Sequence, residues 1–325
     1  MTLMVILLVG CNGTDKKQNT TKEHEGSAMN TKANDVIPFF EHWNLILGDG
    51  SNVGQAVDYL NTDYFYTAKD NQGDWVVFKS PNAGSTHGSS NNTRTELAQL
   101  KKWKPTTEAK MKATLKVMNV STTGDPRVAA TYSVVVGQIH SADGHENEPL
   151  KIFYKKFPGH TKGSLFWNYE INTKGVDNSK RWDYSYPIWG YDFSVVGTGE
   201  NNYPPEPEDG IALGEEFSYE VEIKDGIMYL NFSREGYENK RFSKNLISSE
   251  YTESSMLPEQ VKRLFVPIGQ DGMEQKNAYA NEGLFFKLGT YNQTNGKDPK
   301  VNKVWCSGAE THGGDLQKQY SDGNY

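Results

Sequence analysis

From Phe217 to Lys224 apolar and polar residues alternate without a break. Phe217, Tyr219, Val221 and Ile223 fall on one parity, Ser218, Glu220, Glu222 and Lys224 on the other. A period of two is the side-chain spacing of a β-strand and does not fit an amphipathic helix, so the segment predicts a half-exposed strand. Residues 111–117 repeat the pattern, with Met111, Ala113, Leu115 and Val117 set against Lys112, Thr114 and Lys116. Further strands are expected at 75–79, 131–140, 150–157, 164–171, 227–232 and 284–293, separated by turn dipeptides such as Asp125-Pro126, Asp225-Gly226 and Asn295-Gly296. Only 53–60 and 258–265 read as helices, and both are short. Many strands with few helices predict an all-β fold: two packed antiparallel sheets in a sandwich or β-jelly roll. The composition agrees, with 31 Gly, 14 Phe, 18 Tyr and 7 Trp.

The 325 residues suffice for one large domain, here expected over 36–306, without metal or disulfide staples. Two cysteines, Cys11 and Cys306, exclude a disulfide framework and a four-cysteine zinc site. The seven histidines are scattered, so neither a metal nor another cofactor is expected. A net charge of -7 argues against a general nucleic-acid binder. The apolar run from Met4 to Gly10 is too short to span a bilayer but suits an export signal. Leu8-Val9-Gly10-Cys11 has the spacing of a bacterial lipoprotein cleavage box, which would make Cys11 the lipidated first residue of an outer-membrane or cell-surface lipoprotein. A plain secretory signal leads to the same export. Residues 12–35 are polar and are expected to form a flexible tether, and 307–325 a polar tail.

Three segments carry polar groups at alternate positions. In Arg94-Thr95-Glu96-Leu97 the ionic residues share one strand face, which by itself is an ordinary exposed ion pair. In Gln138-Ile139-His140 the amide and imidazole share a face, with Ile139 and Val135 expected on the opposite one. Lys287, Gly289, Tyr291 and Gln293 alternate with Phe286, Leu288, Thr290 and Asn292. Brought together on one sheet, these groups suit an anionic substrate. Guanidinium and amide clamp a carboxylate, the imidazole accepts a proton and the phenol donates one. That inventory fits β-elimination from a uronic acid polymer, in which neutralising the carboxylate acidifies the neighbouring proton.

The three motifs, in this order and at these separations, resemble the signature strands of polysaccharide lyase family 7, the alginate lyases of β-jelly-roll fold. Residues 39–47, with Trp43, and Trp75-Val76-Val77-Phe78 followed by Ser80-Pro81 resemble the family's opening strands. The likeness therefore covers most of 36–305. Two positions depart from the family pattern: Ala98 stands where a second arginine is common, and Phe285 where a tyrosine is. The resemblance implies that Arg94 and Gln138 neutralise the carboxylate with His140 assisting, and that Tyr291 protonates the leaving oxygen. It implies substrate binding by Lys287, with Glu96 and Gln293 beside it. For guluronate His140 would be the base and Tyr291 the acid; for mannuronate Tyr291 could serve as both. Ile139 is associated in the family with acceptance of guluronate or mixed blocks.

Two long connections, 177–210 and the roughly 50 residues after strand 227–232, exceed ordinary loops. They favour walls that close one end of the cleft and exolytic release of small products, with endolytic cleavage as the alternative. The expected partner is alginate, met by a monomer that touches a membrane only through its lipid. Other readings are a non-catalytic alginate-binding jelly roll, or a glycoside hydrolase using Glu220 and Glu222. Lys101, Lys102, Lys104, Lys110, Lys112 and Lys116 are either a substrate-capturing patch or a solvated edge. Trp167, Trp182, Trp189, Tyr184 and Tyr186 are either sugar-stacking or core residues.

Overall fold

A computed structural model of the chain describes residues 32–37, 39–60, 63–82, 84–88, 90–142, 148–171, 182–247, 279, 282–294 and 305–312. Among these described residues the helical content is one turn, α1 (Ala33–Val36), and a 3-10 turn at Phe40–His42. The strands begin with β1 (Trp43–Ile46), β2 (Asn52–Gln55), β3 (Phe65–Lys69), β4 (Asp74–Pro81), β5 (Arg94–Gln99) and β6 (Ala109–Val117). They continue with β7 (Ser133–Ser141), β8 (Leu150–Lys155), β9 (Lys162–Ile171), β10 (Trp182–Trp189), β11 (Ile211–Ala212) and β12 (Glu216–Lys224). Last come β13 (Ile227–Ser233), β14 (Lys240–Asn245), β15 (Leu284–Asn292) and β16 (Trp305–His312).

Two antiparallel sheets result. The larger runs β10-β9-β8-β7-β15-β5-β1-β2, with β11 beside β9; the smaller runs β14-β13-β12-β6-β16-β4-β3. The jelly roll expected from the alternation is the fold. Phe217, Tyr219, Val221 and Ile223 of β12 are buried between the sheets while Ser218, Glu220 and Glu222 stay half exposed. From the larger sheet Val134, Val136, Ile139, Ile152 and Trp167 complete that core. Burying large apolar side chains on facing sheets stabilises the sandwich by about 1.5–3 kcal/mol per side chain.

Four expectations need correction. The segment 53–60 is not helical: Gly54 takes φ +77° and the Asn52 side chain accepts from its N–H at 3.0 Å, which closes a local turn and leaves the chain to pair with β1. The expected tether does not reach to Asp35: α1 buries Ala33 against the core. The last strand among the described residues passes Cys306 and runs to His312, since β16 pairs its backbone with both β4 and β6 whatever the polarity of its side chains. Val135 does not share a face with Ile139. A bulge between Val135 and Gly137 inserts Val136 opposite β8, so the parity of β7 flips there. Val136 and Ile139 face the core, whereas Val135 clusters with Phe153 and Phe166 on the outer face. The expected helix at 258–265 and the residue Cys11 lie outside the described residues.

Candidate active site

Strand β15 lies between β5 and β7, so chain segments nearly 200 positions apart become neighbours. The register sets Tyr291 opposite Arg94 and Gly289 opposite Glu96 on one side, and Lys287 opposite Gln138 and Phe285 opposite His140 on the other. All three polar rows therefore share the outer face of the larger sheet. Gly289 makes this possible: it holds φ +139°, and a Cβ there would lie 2.4 Å from the Thr95 carbonyl oxygen. Across the bulge, a Cβ on Gly137 would lie 2.3 Å from Tyr219 Oη, the hydroxyl that donates to the Val136 carbonyl at 3.1 Å.

Glu96 is the electrostatic centre of the face. One of its oxygens lies 2.6 Å from Lys287 Nζ and 3.4 Å from Arg94 Nη1, and the other accepts from Gln138 Nε2 at 2.7 Å. All four side chains are buried. Burial pushes the Glu96 carboxyl up, but Lys287, Arg94 and the bonds to Lys287 and Gln138 outweigh it, leaving it below the ordinary carboxylate range. Lys287 is pulled down to about 8 by burial and by Arg94, against the opposing pull of Glu96. Two polar atoms here, Arg94 Nε and Gln138 Oε1, are buried without a protein partner. A donor and an acceptor are thus left for a ligand that offers carboxylate and hydroxyl groups.

At one flank stands Tyr291. Its hydroxyl lies 3.2 Å from Ser90 Oγ, and the Arg94 guanidinium sits 3.9 Å from its ring centroid. Val135, Phe153, Phe166 and Phe193 form an apolar floor beside it. At the other flank stands His140, with Nδ1 2.6 Å from the Ser141 carbonyl oxygen and Nε2 3.3 Å from Glu148. Its pKa is lowered, chiefly by burial; Lys287 and Arg94 add to this, while Glu148 and the Ser141 carbonyl oppose it. Behind Glu148, Lys151 bonds Glu170. Along β7 the two flanks are five residues apart, about 15 Å of strand.

Of the residues expected from sequence, Arg94, Glu96, Gln138, His140, Lys287 and Tyr291 share this face. Glu96, expected to bind substrate, has both oxygens bonded to its neighbours. Gln293 turns back on its own strand, where its amide donates to the Tyr291 carbonyl at 3.4 Å. The lysine-rich run divides between sheets: Lys110 and Lys112 pair with Glu220 on β12 and Lys116 with Asp70, all on the smaller sheet. Lys102 reaches the site's edge, 3.3 Å from the Phe285 ring centroid, and is held at about 8 by burial and Lys287. Glu220 and Glu222 lie on the smaller sheet too, which removes the paired-carboxylate arrangement of a hydrolase from this face. Trp167 and Trp189 are core residues, and Tyr184 and Tyr186 pack against that core. Sequence reasoning missed Ser90, Glu148, Lys151, Glu170 and the three phenylalanines. For Lys151 and Glu170 a signal existed: each is a charge with apolar or aromatic residues on both sides, Leu150 and Ile152 in one case and Tyr169 and Ile171 in the other. Among the described residues no group of three or more His, Cys, Asp or Glu could hold a metal.

A jelly roll whose outer sheet face sets cationic and amide groups between a phenol and an imidazole has the architecture of a polysaccharide lyase. The comparisons specify which. A family model described as alginate lyase matches residues 37–317. The crystal structure of the exolytic PL7 alginate lyase AlyA5 from Zobellia galactanivorans is 62% identical, with TM-score 0.74 over 86% of this chain and 89% of that one. An alginate lyase of Klebsiella pneumoniae is 29% identical over 294 residues, 79% of this chain and 81% of that protein. A crystal structure of alginate lyase from the same organism shares the fold at TM-score 0.60 and 23% identity, over 84% of this chain and 93% of that one. The chain belongs to the alginate lyase family, polysaccharide lyase family 7.

Proposed function

We propose that this lyase cleaves the 1,4-glycosidic bond of alginate by β-elimination, releasing small unsaturated products from a chain end, with guluronate or mixed blocks favoured. The observation that carries the reading is the buried Arg94-Glu96-Lys287-Gln138 group set between His140 and Tyr291. The uronate carboxylate accepts from Arg94 Nε and a sugar hydroxyl donates to Gln138 Oε1, the two buried atoms without a protein partner. Neutralised in this way, the carboxylate stabilises the negative charge that develops when the adjacent C5 proton departs. His140 takes that proton when the sugar is guluronate. The electron pair of the broken C5–H bond forms the C4=C5 double bond, the C4–O bond breaks, and the leaving oxygen takes the Tyr291 proton. In this scheme base and acid act on opposite faces of the ring, which is the geometry guluronate requires.

The exolytic reading is supported by the 62% identity to an enzyme described as exolytic. It is also supported by the 190–210 segment, which lays Phe193 over Phe153 and Phe166 at the Tyr291 end. The test is a product time course on polyguluronate and polymannuronate separately, sized by chromatography with ultraviolet detection of the unsaturated ends. Small products from the first minutes, faster on polyguluronate, are expected. An early ladder of large oligomers would refute the exolytic mode, and binding with no unsaturated product would refute the enzyme.

We further propose, from the cleavage-box spacing at Cys11, that the exported chain carries a lipid there. Metabolic labelling with a fatty acid should mark the wild type and not Cys11→Ser. Equal label in both would end this reading.

A further inference from the structure

His140 has two ring nitrogens, and each faces an oxygen. Nδ1 lies 2.6 Å from the Ser141 carbonyl, which can only accept, so the ring proton sits on Nδ1. In the neutral ring Nε2 is then a lone pair, yet it lies 3.3 Å from the Glu148 carboxylate. Two acceptors at that distance attract only when a proton lies between them. Glu148 is itself held: its other oxygen is 3.5 Å from Lys151, which bonds Glu170. The charged groups facing the imidazole are Lys287 from β15, Arg94 from β5, and Glu148 at the entry to β8, with the Phe285 ring centroid 5.2 Å away. Both cations oppose a positive ring. Glu148 is the one carboxylate among them that favours it.

Resting on the reading of His140 as the base for guluronate, we propose that Glu148 is the positioning residue for that base. It sustains the basicity of the imidazole against Arg94 and Lys287, and pairs with the imidazolium once the C5 proton has been taken. The proton then passes to solvent, and Tyr291 regains one from solvent, so the cycle closes without a co-reactant. Glu148 touches the substrate at no point in this scheme.

The sign of the effect is fixed: removing the carboxylate lowers the imidazole pKa, so the acid limb of the rate profile moves to lower pH. In Glu148→Gln the NMR titration midpoint of His140 should fall by about one pH unit. The acid limb of kcat/KM should move with it, and kcat above the limb should drop about tenfold as the base weakens, with KM changed less than about twofold. Glu148→Asp should recover part of each. In the wild type, long-range nitrogen-proton correlations should place the neutral-ring proton on Nδ1. An unmoved midpoint in Glu148→Gln, or a neutral ring protonated on Nε2, would overturn the proposal, and the second measurement needs no variant to fold. The titration reads the coupling in substrate-free protein whether or not His140 is the base. Full polyguluronate activity in His140→Asn would therefore defeat the base assignment separately.

Discussion

Tyr291→Phe is expected to lower kcat on alginate about 1,000-fold, within the range that loss of a positioned general acid commonly costs. The leaving glycosidic oxygen is a poor leaving group as an alkoxide, and in the proposed mechanism it takes its proton from the phenol that flanks the cationic group beside Arg94. Phenylalanine keeps the ring. The Arg94 contact at 3.9 Å and the packing against Val135, Phe153 and Phe166 therefore survive, and only the hydroxyl with its bond to Ser90 is lost. Substrate affinity should accordingly change less than about threefold, because no carboxylate-binding group has moved. Calorimetric titration of the variant with guluronate oligomers, beside initial rates by ultraviolet absorbance, separates the two quantities. A variant retaining a tenth of the wild-type rate would remove Tyr291 from the acid role.

The second large effect is on both stability and activity. Glu96→Gln keeps the shape of the side chain and an acceptor, but leaves Arg94 and Lys287 as neighbouring buried cations with no carboxylate between them. Removing one partner of a buried ionic group commonly costs about 3–5 kcal/mol, and here the loss should appear as a lowered denaturant midpoint at neutral pH. Lys287, already held at about 8, should lose its proton at still lower pH in the variant. Turnover should therefore fall along with stability.

The pH dependence provides a control. Because the folded Glu96 carboxyl is held below its ordinary range, its contribution is fully present above the unfolded carboxylate pKa. It fades as pH falls through the folded value. The stability gap between wild type and Glu96→Gln should consequently narrow in acid. A gap that stays constant down to the acid limit would mean that the carboxylate charge is not what holds this group together.

Much of the site was legible because its residues sit on strands whose parity is regular. Arg94 with Glu96, and Lys287 with Tyr291, lie two and four positions apart, and the pleat alone puts each pair on one face. Val135 was misread because a bulge has no reliable signature in a run of valines: Val134, Val135 and Val136 look interchangeable until the pairing with β8 shows which one is extra. Residues 53–60 looked helical from their apolar spacing, while Gly54 and the Asn52 side chain favoured a turn that β1 was placed to capture. Glu148 lies outside any alternating run, so no periodicity could have singled it out. The lysines from 101 to 116 form one cluster along the chain but divide between two sheets, because β6 crosses to the opposite layer after Lys104.

The sequence by itself determined the all-β class, the two-sheet sandwich, and the identity of the groups that can neutralise a carboxylate and move protons. Those follow from short-range facts, namely strand parity and side-chain chemistry. Only the tertiary structure decided that β15 inserts between β5 and β7, that Glu96 gathers Arg94, Lys287 and Gln138 around itself, and that Glu148 meets His140. These contacts join residues that a linear chain leaves far apart, and their strengths depend on burial, which is a property of the closed sandwich rather than of any one strand.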